Sequence, residues 1–285
     1  MKKLLLFTTA SILSFNSLSL KAQVAEPYFT SGDMPDMLKF LPAPPDTTST
    51  RFVNDIMQYM WGKTQRLDPE RAEIAKRDAV YGLETIIKEF SEPFGLQISQ
   101  EGTPEIYKVL LDGLATCDSV CKLPKEYYMR RRPYSRFNEP TLVPDQEESH
   151  RTNGSYPSGH TILGWSAALL LMEINPAAQD TLLARGYMYG ESRVIAGYHW
   201  QSDVDAGRLA ASAAYAKLHT DNRFLEQMAK ARKEFAEKTG SDKVNAATTS
   251  KQMPSSNRSY TIMGTPATSD TRGIVISNGQ KKAVK

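Results

Sequence analysis

Apolar residues along this chain recur at helical spacing over most of its length. Arg51 to Trp61 follows the three-to-four-residue period. Asp68-Pro69 supplies a cap and a first-turn proline for a helix predicted to run to Phe90, with Ala79, Leu83, Ile86, Ile87 and Phe90 on one face. Thr103-Pro104 repeats that start signal, and Ile106, Leu110, Leu114 and Cys117 mark the inward face of a helix running toward Cys121. Further helices are predicted from Thr161 to Glu173, from Gln179 to near Gly197, over the Ala-rich Val204 to Lys217, and from Asp221 to Lys238. Long period-2 alternation, the mark of a half-buried strand, is missing. The expected fold class is therefore all-α, a single helical domain whose site lies where several helix ends meet.

The two ends of the chain read differently. Lys2 and Lys3, an apolar run from Leu4 to Leu20 and small residues near Ala22 have the layout of a secretory signal peptide over residues 1–22, so the protein is expected in the periplasm or secreted after cleavage. No later run approaches the roughly 18 apolar residues of a membrane span, so none is expected in the mature chain. A Pro-rich extended segment from Met34 to Pro45 is expected to lie over the surface of the domain, which is assigned to residues 23–238. Residues 239–285 turn polar and read as a flexible tail, in which Ile274-Val275-Ile276 is too short to anchor a strand.

With 40% hydrophobic residues, the 285-residue chain can close one core. Its formal charge of +3 comes from the ends: residues 1–21 hold +3 and residues 238–285 hold +6, which leaves −6 on the body between them. Positive charge in the body must then be local to a site, and no nucleic-acid face is expected.

The densest chemistry lies in Gly154-Ser-Tyr-Pro-Ser-Gly-His160. Pro157 suits the first turn of a helix, and the N–H groups of Ser158, Gly159 and His160 would face an anion there, with no Cβ on Gly159 to block it and the helix dipole favouring negative charge. Two flanking stretches accompany it: Lys125 to Arg132-Pro133 upstream, and Ser192-Arg193 followed by His199 and Asp203 downstream. Together they fill the pattern Lys-x6-Arg-Pro, Pro-Ser-Gly-His and Ser-Arg-x5-His-x3-Asp. In this the chain resembles the type 2 phosphatidic acid phosphatase and vanadium haloperoxidase superfamily. Tyr128-Met129-Arg130, Gly154-Ser155-Tyr156, Gly197 to Asp205 and Leu41-Pro-Ala-Pro-Pro45 are similar to the class A bacterial non-specific acid phosphatases, over a stretch from about Asp36 to Leu218.

The resemblance implies hydrolysis of phosphate monoesters on the acid side of neutral. Lys125, Arg132 and Arg193 would form a cationic clamp on the phosphoryl group, joined by Ser158 and Gly159. His199 would be the nucleophile, forming a phosphohistidine, with Asp203 one helical turn on to fix its tautomer. His160 would protonate the leaving alcohol, so His199 is expected neutral and His160 charged. Arg130 and Arg131 read as surface cations or cations one layer behind the site, with Arg131 standing where an apolar residue is expected. Ser192 reads as a support, and His150, His219 and Asp205 as incidental. Cys117 and Cys121, one turn apart, sit near the upper limit of disulfide geometry. No metal-ligand set and no cofactor motif is present. The expected partners are small phosphomonoesters, whether nucleotides, sugar phosphates or aryl phosphates, and a homo-oligomer is compatible with the sequence. A vanadate-dependent haloperoxidase and a non-catalytic phosphate-binding protein stay as alternatives.

Overall fold

The computed structural model describes residues 23–240 and, beyond them, the backbone of three short strands; residues 1–22, expected from the sequence to be a signal peptide, lie outside the described residues. The chain divides into two compact units, Met1–Ala231 and Arg232–Lys285. The boundary falls inside a helix, Asn222–Thr239, rather than after Lys238.

In the first unit the Pro-rich segment is extended apart from the short α1, Met37–Phe40, and is pinned by the buried side chains of Met34, Met37 and Leu41. Helix α2, Thr50–Gln65, starts at Ser49, whose hydroxyl accepts the Phe52 N–H. Asp68 and Pro69 open α3, Pro69–Arg77, as predicted. That helix stops short of the expected end. Asp78 is fully buried, held by the Arg185 guanidinium at 2.6 and 3.0 Å and by the Ser192 hydroxyl at 2.7 Å. The chain is drawn inward there, and α4, Leu83–Phe94, begins afresh after Gly82. One predicted helix is thus two, because contacts more than a hundred residues away along the chain outweigh the local period.

Helix α5, Pro104–Asp118, buries Ile106, Leu110, Leu114 and Cys117 completely, as its spacing predicts. The short α6, Lys122–Tyr128, α7, Pro133–Phe137, and α8, Glu147–His150, follow. Helix α9, Gly159–Ile174, is buried nearly all round, and α4, α5, α10 (Gln179–Ala196) and α11 (Gln201–Leu218) pack against it. Its buried leucines stabilise the unit by roughly 2 kcal/mol each. Helix α12, Asn222–Thr239, adds Phe224, Met228 and Ala231 to the core, and the Gln227 side-chain amide donates to the Glu105 backbone carbonyl at 3.0 Å. The first unit is all-α.

Cys117 and Cys121, whose pairing the sequence left open, are both free thiols: Cys117 faces the core, and Cys121 turns toward Asp118. One expectation needs correction. In the second unit, residues expected to be a structureless tail form an antiparallel sheet of β1, Tyr260–Thr261, β2, Gly273–Ser277, and β3, Gln280–Val284. Ile274, Val275 and Ile276 do not stand alone, since β2 pairs with β1 on one side and with β3 on the other. Among the described residues no helix is long and apolar enough to cross a membrane.

The α9–α10 contact is close because glycine stands on it. A Cβ on Gly186 would lie 2.7 Å from the Ala168 Cβ. Gly186→Ala is therefore expected to cost about 1–3 kcal/mol through overpacking, read as a lowered midpoint in thermal denaturation; an unchanged midpoint would mean the two helices can separate freely.

Candidate active site

Helix α10 ends on Gly197, which adopts a left-handed φ of 89° that favours glycine. The carbonyl of Arg193 then accepts the N–H groups of Tyr198 at 3.1 Å and His199 at 3.3 Å, so the turn that follows is tied to the helix it leaves. Trp200 is buried against Phe52 and Tyr59, and its indole N–H donates to the Arg131 carbonyl at 2.8 Å. His199 is thereby fixed from both sides in a turn between α10 and α11. Asp203, in the first turn of α11, folds back to accept the Trp200 N–H at 2.9 Å, which brings its Oδ2 to 3.4 Å from Nδ1 of His199. This is a close approach of carboxylate to ring nitrogen rather than an aligned hydrogen bond.

Three cations face this imidazole. Lys125 donates to the Gly154 carbonyl at 2.8 Å. Arg132, at the N-cap of α7, donates to the carbonyls of Asn153 and Tyr198 at 3.2 and 3.1 Å, and one of its N–H groups meets Nε2 of His199 at 3.1 Å. Arg193 is fully buried, its guanidinium 4.9 Å above the Tyr198 ring, and all three of its side-chain nitrogens are without a hydrogen-bond partner. Such a group is costly unless an anion meets it. Burial, aided by Arg132, pushes Lys125 down to about 8. Burial likewise lowers both arginines to about 10, still charged at any working pH.

The third wall is the start of α9. Ser158 is its N-cap, its hydroxyl accepting from the Thr161 N–H at 3.3 Å and the Thr161 hydroxyl at 2.9 Å. Pro157 thus precedes the cap instead of opening the helix. The Ser158 N–H is spent on the Asp203 carbonyl at 3.0 Å, which leaves Gly159 and His160 as first-turn donors the helix itself cannot use. A Cβ on Gly159 would make ordinary contacts, 3.6 Å from Cys121 Sγ, so packing alone does not demand the glycine. His160 places Nε2 3.1 Å from the Ala79 carbonyl, with the Tyr81 ring edge-on at 4.9 Å. The two imidazoles therefore differ in tautomer. Nε2 of His160 faces an acceptor and must carry hydrogen, whereas Nε2 of His199 faces a donor and must present its lone pair.

Lys125, Arg132, Gly159, His160 and His199 line one cavity of about 450 Å³, with Tyr81, Cys121 and His150 on its walls. Arg193, Ser158 and Asp203 stand behind that surface, fully buried. His150, read from sequence as incidental, is a third imidazole in the cavity, its Nδ1 2.8 Å from the Gln146 carbonyl. Burial and then Arg132 push it down to about 4. Burial lowers His160 and His199 well below the usual imidazole range as well, with Arg193 and then His199 acting on the first and Arg132 and then Lys125 on the second. The expectation that His160 is charged runs against this depression, which the charge of a bound dianion would oppose while solvent supplies the proton. Of the two readings of Arg130, the layer behind the site is the one the structure shows: its side chain is largely buried between the carboxylates of Asp55 and Asp203, of which Asp55 carried no sequence signal.

A family model, the PAP2 superfamily, matches residues 107–222, which hold every residue discussed above from Lys125 to Asp203. The chain is 44% identical to a non-specific acid phosphatase of Providencia stuartii over 210 residues, 73% of this chain and 84% of that protein. It is 37% identical to a non-specific acid phosphatase of Salmonella typhimurium over 76% of this chain and 87% of that protein. An acid phosphatase of Zymomonas mobilis is 33% identical over 77% of this chain and 83% of that protein.

The depressed imidazoles fix the sign of a pH effect. Unfolding restores them to the ordinary value of 6.5, so the unfolded chain binds more protons below that value, and stability falls as pH drops from 6.5 toward about 4. An anion among the cations opposes the loss. Saturating inorganic phosphate should raise the melting midpoint more at about pH 5.5 than at about pH 8.5, where Lys125 is also losing its charge; a larger rise at the alkaline end would contradict the assignment of these groups to one anion site.

Proposed function

This chain belongs to the PAP2 superfamily and, within it, to the class A non-specific acid phosphatases, and from that membership we propose that it hydrolyses phosphate monoesters through a covalent phosphohistidine on His199. The observation that carries the reading is the buried guanidinium of Arg193, unpartnered beside Lys125 and Arg132. Charge of that density suits a dianionic phosphoryl group, with guanidinium groups gripping two oxygens and the ammonium acting as a point charge. The N–H groups of Gly159 and His160, and the hydroxyl hydrogen of Ser158 that Thr161 leaves uncommitted, add neutral donors.

The Arg132 contact with His199 puts the nucleophilic nitrogen within one phosphoryl group's width of the clamp. Nε2 attacks phosphorus, the N–P bond forms, and the P–O bond to the alcohol breaks. His160 carries a proton from solvent once the dianion is bound and gives it to the departing oxygen. Neutral His160 then takes a proton from water as that water attacks phosphorus; the N–P bond breaks, and phosphate leaves with His199 regenerated. Asp203 steadies the Nδ1–H side throughout. The clamp balances the substrate's charge, so the reaction is proposed to run without a metal ion. An alcohol in place of water would complete a phosphoryl transfer. The substrates are nucleotides, sugar phosphates or aryl phosphates, and the enzyme acts outside the cytoplasm, where the N-terminal segment would direct it.

His199→Ala should lose roughly three orders of magnitude or more in turnover of p-nitrophenyl phosphate while keeping its circular dichroism spectrum. Labelled phosphate trapped on the protein by acid quench should disappear with it. His160→Ala should retain the trapped label and slow its release about 10²-fold or more. Excess chelator should leave the rate unchanged. Trapped label on His199→Ala would remove the assigned nucleophile, and bromide oxidation by peroxide with added vanadate in place of ester hydrolysis would favour the haloperoxidase chemistry.

A further inference from the structure

Behind the Asp203 carboxylate stands a second layer of buried charge. The Arg130 guanidinium donates to Asp203 Oδ1 at 2.5 Å, to the Ser202 hydroxyl at 2.8 Å and to Asp55 Oδ2 at 2.7 Å. Asp55, on α2, is fully buried and also accepts the Ser202 N–H at 2.8 Å and the Ser202 hydroxyl at 2.6 Å. Arg130 is itself buried, 5.7 Å from the Trp200 ring. We propose that Arg130 is a positioning residue for the reaction, clamping Asp203 from behind so that only its other oxygen reaches toward His199, and that it sets how strongly this carboxylate acts on the imidazole.

The geometry leaves few other ways for Asp203 to meet His199. Its Oδ1 is fully engaged by Arg130, its Oδ2 by the Trp200 N–H, and the 3.4 Å approach to Nδ1 is what remains. Two carboxylates share one guanidinium, so Asp203 faces His199 with part of its charge already balanced. That matters because the other groups around this imidazole are unevenly signed: Arg132 and Lys125 face it from α7 and α6, Arg193 from α10, and the imidazoles of His150 and His160 from α8 and α9. Asp203 is the acidic group among them, and a freer carboxylate would draw a proton onto the nitrogen that should attack. Arg130 thus keeps the lone pair of Nε2 available at acid pH. The anchor also spans the fold, tying α2 to the first turn of α11 through Ser202.

Removing Arg130 alone would leave two buried carboxylates uncompensated and threaten folding. The double variant Arg130→Met with Asp55→Asn removes one charge of each sign and keeps acceptor and donor atoms for Ser202. The kinetic arm of the test rests on His199 as the attacking residue; the titration arm does not. In the folded double variant, the His199 imidazole, followed by NMR in the full chain, should titrate about one pH unit higher than in the native protein. The acid limb of kcat/KM should move up by the same interval, and Arg130→Lys, which can hold one carboxylate, should lie between. A His199 titration and an acid limb that stay in place, even with a lower kcat or melting midpoint, would make Arg130 merely structural and overturn the proposal. Label trapped on a residue other than His199 would instead remove the nucleophile assignment, with the titration still deciding the role of Arg130.

Discussion

The site depends on burying positive charge where helices end. Moving a cation out of water costs several kcal/mol even after the surroundings relax, and this fold does so three times around one cavity, with Lys125 and Arg132 on its wall and Arg193 behind it. Packing elsewhere offsets that cost, chiefly the core around α9 and its contact with α10. The burden falls most heavily on Arg193, whose guanidinium has the Tyr198 ring beneath it and no hydrogen-bond acceptor. The same residue's carbonyl gathers the N–H groups of Tyr198 and His199. The cation that awaits an anion and the backbone that places the imidazole are one residue, so neither can shift without the other.

Two buried aspartates on the early helices hold this arrangement from outside. Asp78, just past α3, receives the Ser192 hydroxyl and the Arg185 guanidinium. Asp55, on α2, receives the Ser202 hydroxyl and the Arg130 guanidinium. Each joins an early segment to one of the two helices that flank the His199 turn, α10 in the first case and α11 in the second. The first also bends the chain so that the Ala79 carbonyl meets His160. A serine and an arginine on one buried carboxylate satisfy most of its acceptor positions, which is what makes such a group tolerable in the interior.

The contrast between what the sequence disclosed and what it hid follows from range. Helix starts at Asp68-Pro69 and Thr103-Pro104, and the inward positions of α5, are written within a few residues of where they act. The eight residues expected in the site converge or stand directly behind its surface, because each short motif fixes its own residues relative to one another. The break after Arg77, the buried Arg130 and the anchoring Asp55 depend on partners far along the chain, and a helical period or a run of arginines looks the same with or without them. His150 was passed over for a similar reason: a charged loop reads as solvated until the fold turns it toward the cavity. The pairing of β2 was hidden by the polar composition of the residues around it.

Burial, with the cations second, depresses every imidazole in this pocket, so the direction of the shift cannot tell the two site histidines apart. Hydrogen-bond partners can. A carbonyl opposite Nε2 of His160 favours hydrogen on that nitrogen and steadies the imidazolium once a second proton arrives, while a guanidinium opposite Nε2 of His199 disfavours any hydrogen there. Substrate then changes the balance unequally. Its negative charge relieves the repulsion on both rings, yet a proton gained by His160 leaves its Nε2–H on the Ala79 carbonyl, whereas one gained at Nε2 of His199 would meet the Arg132 guanidinium. On the proposed mechanism the substrate itself charges the acid and spares the nucleophile, and an acidic medium supplies the proton that step consumes.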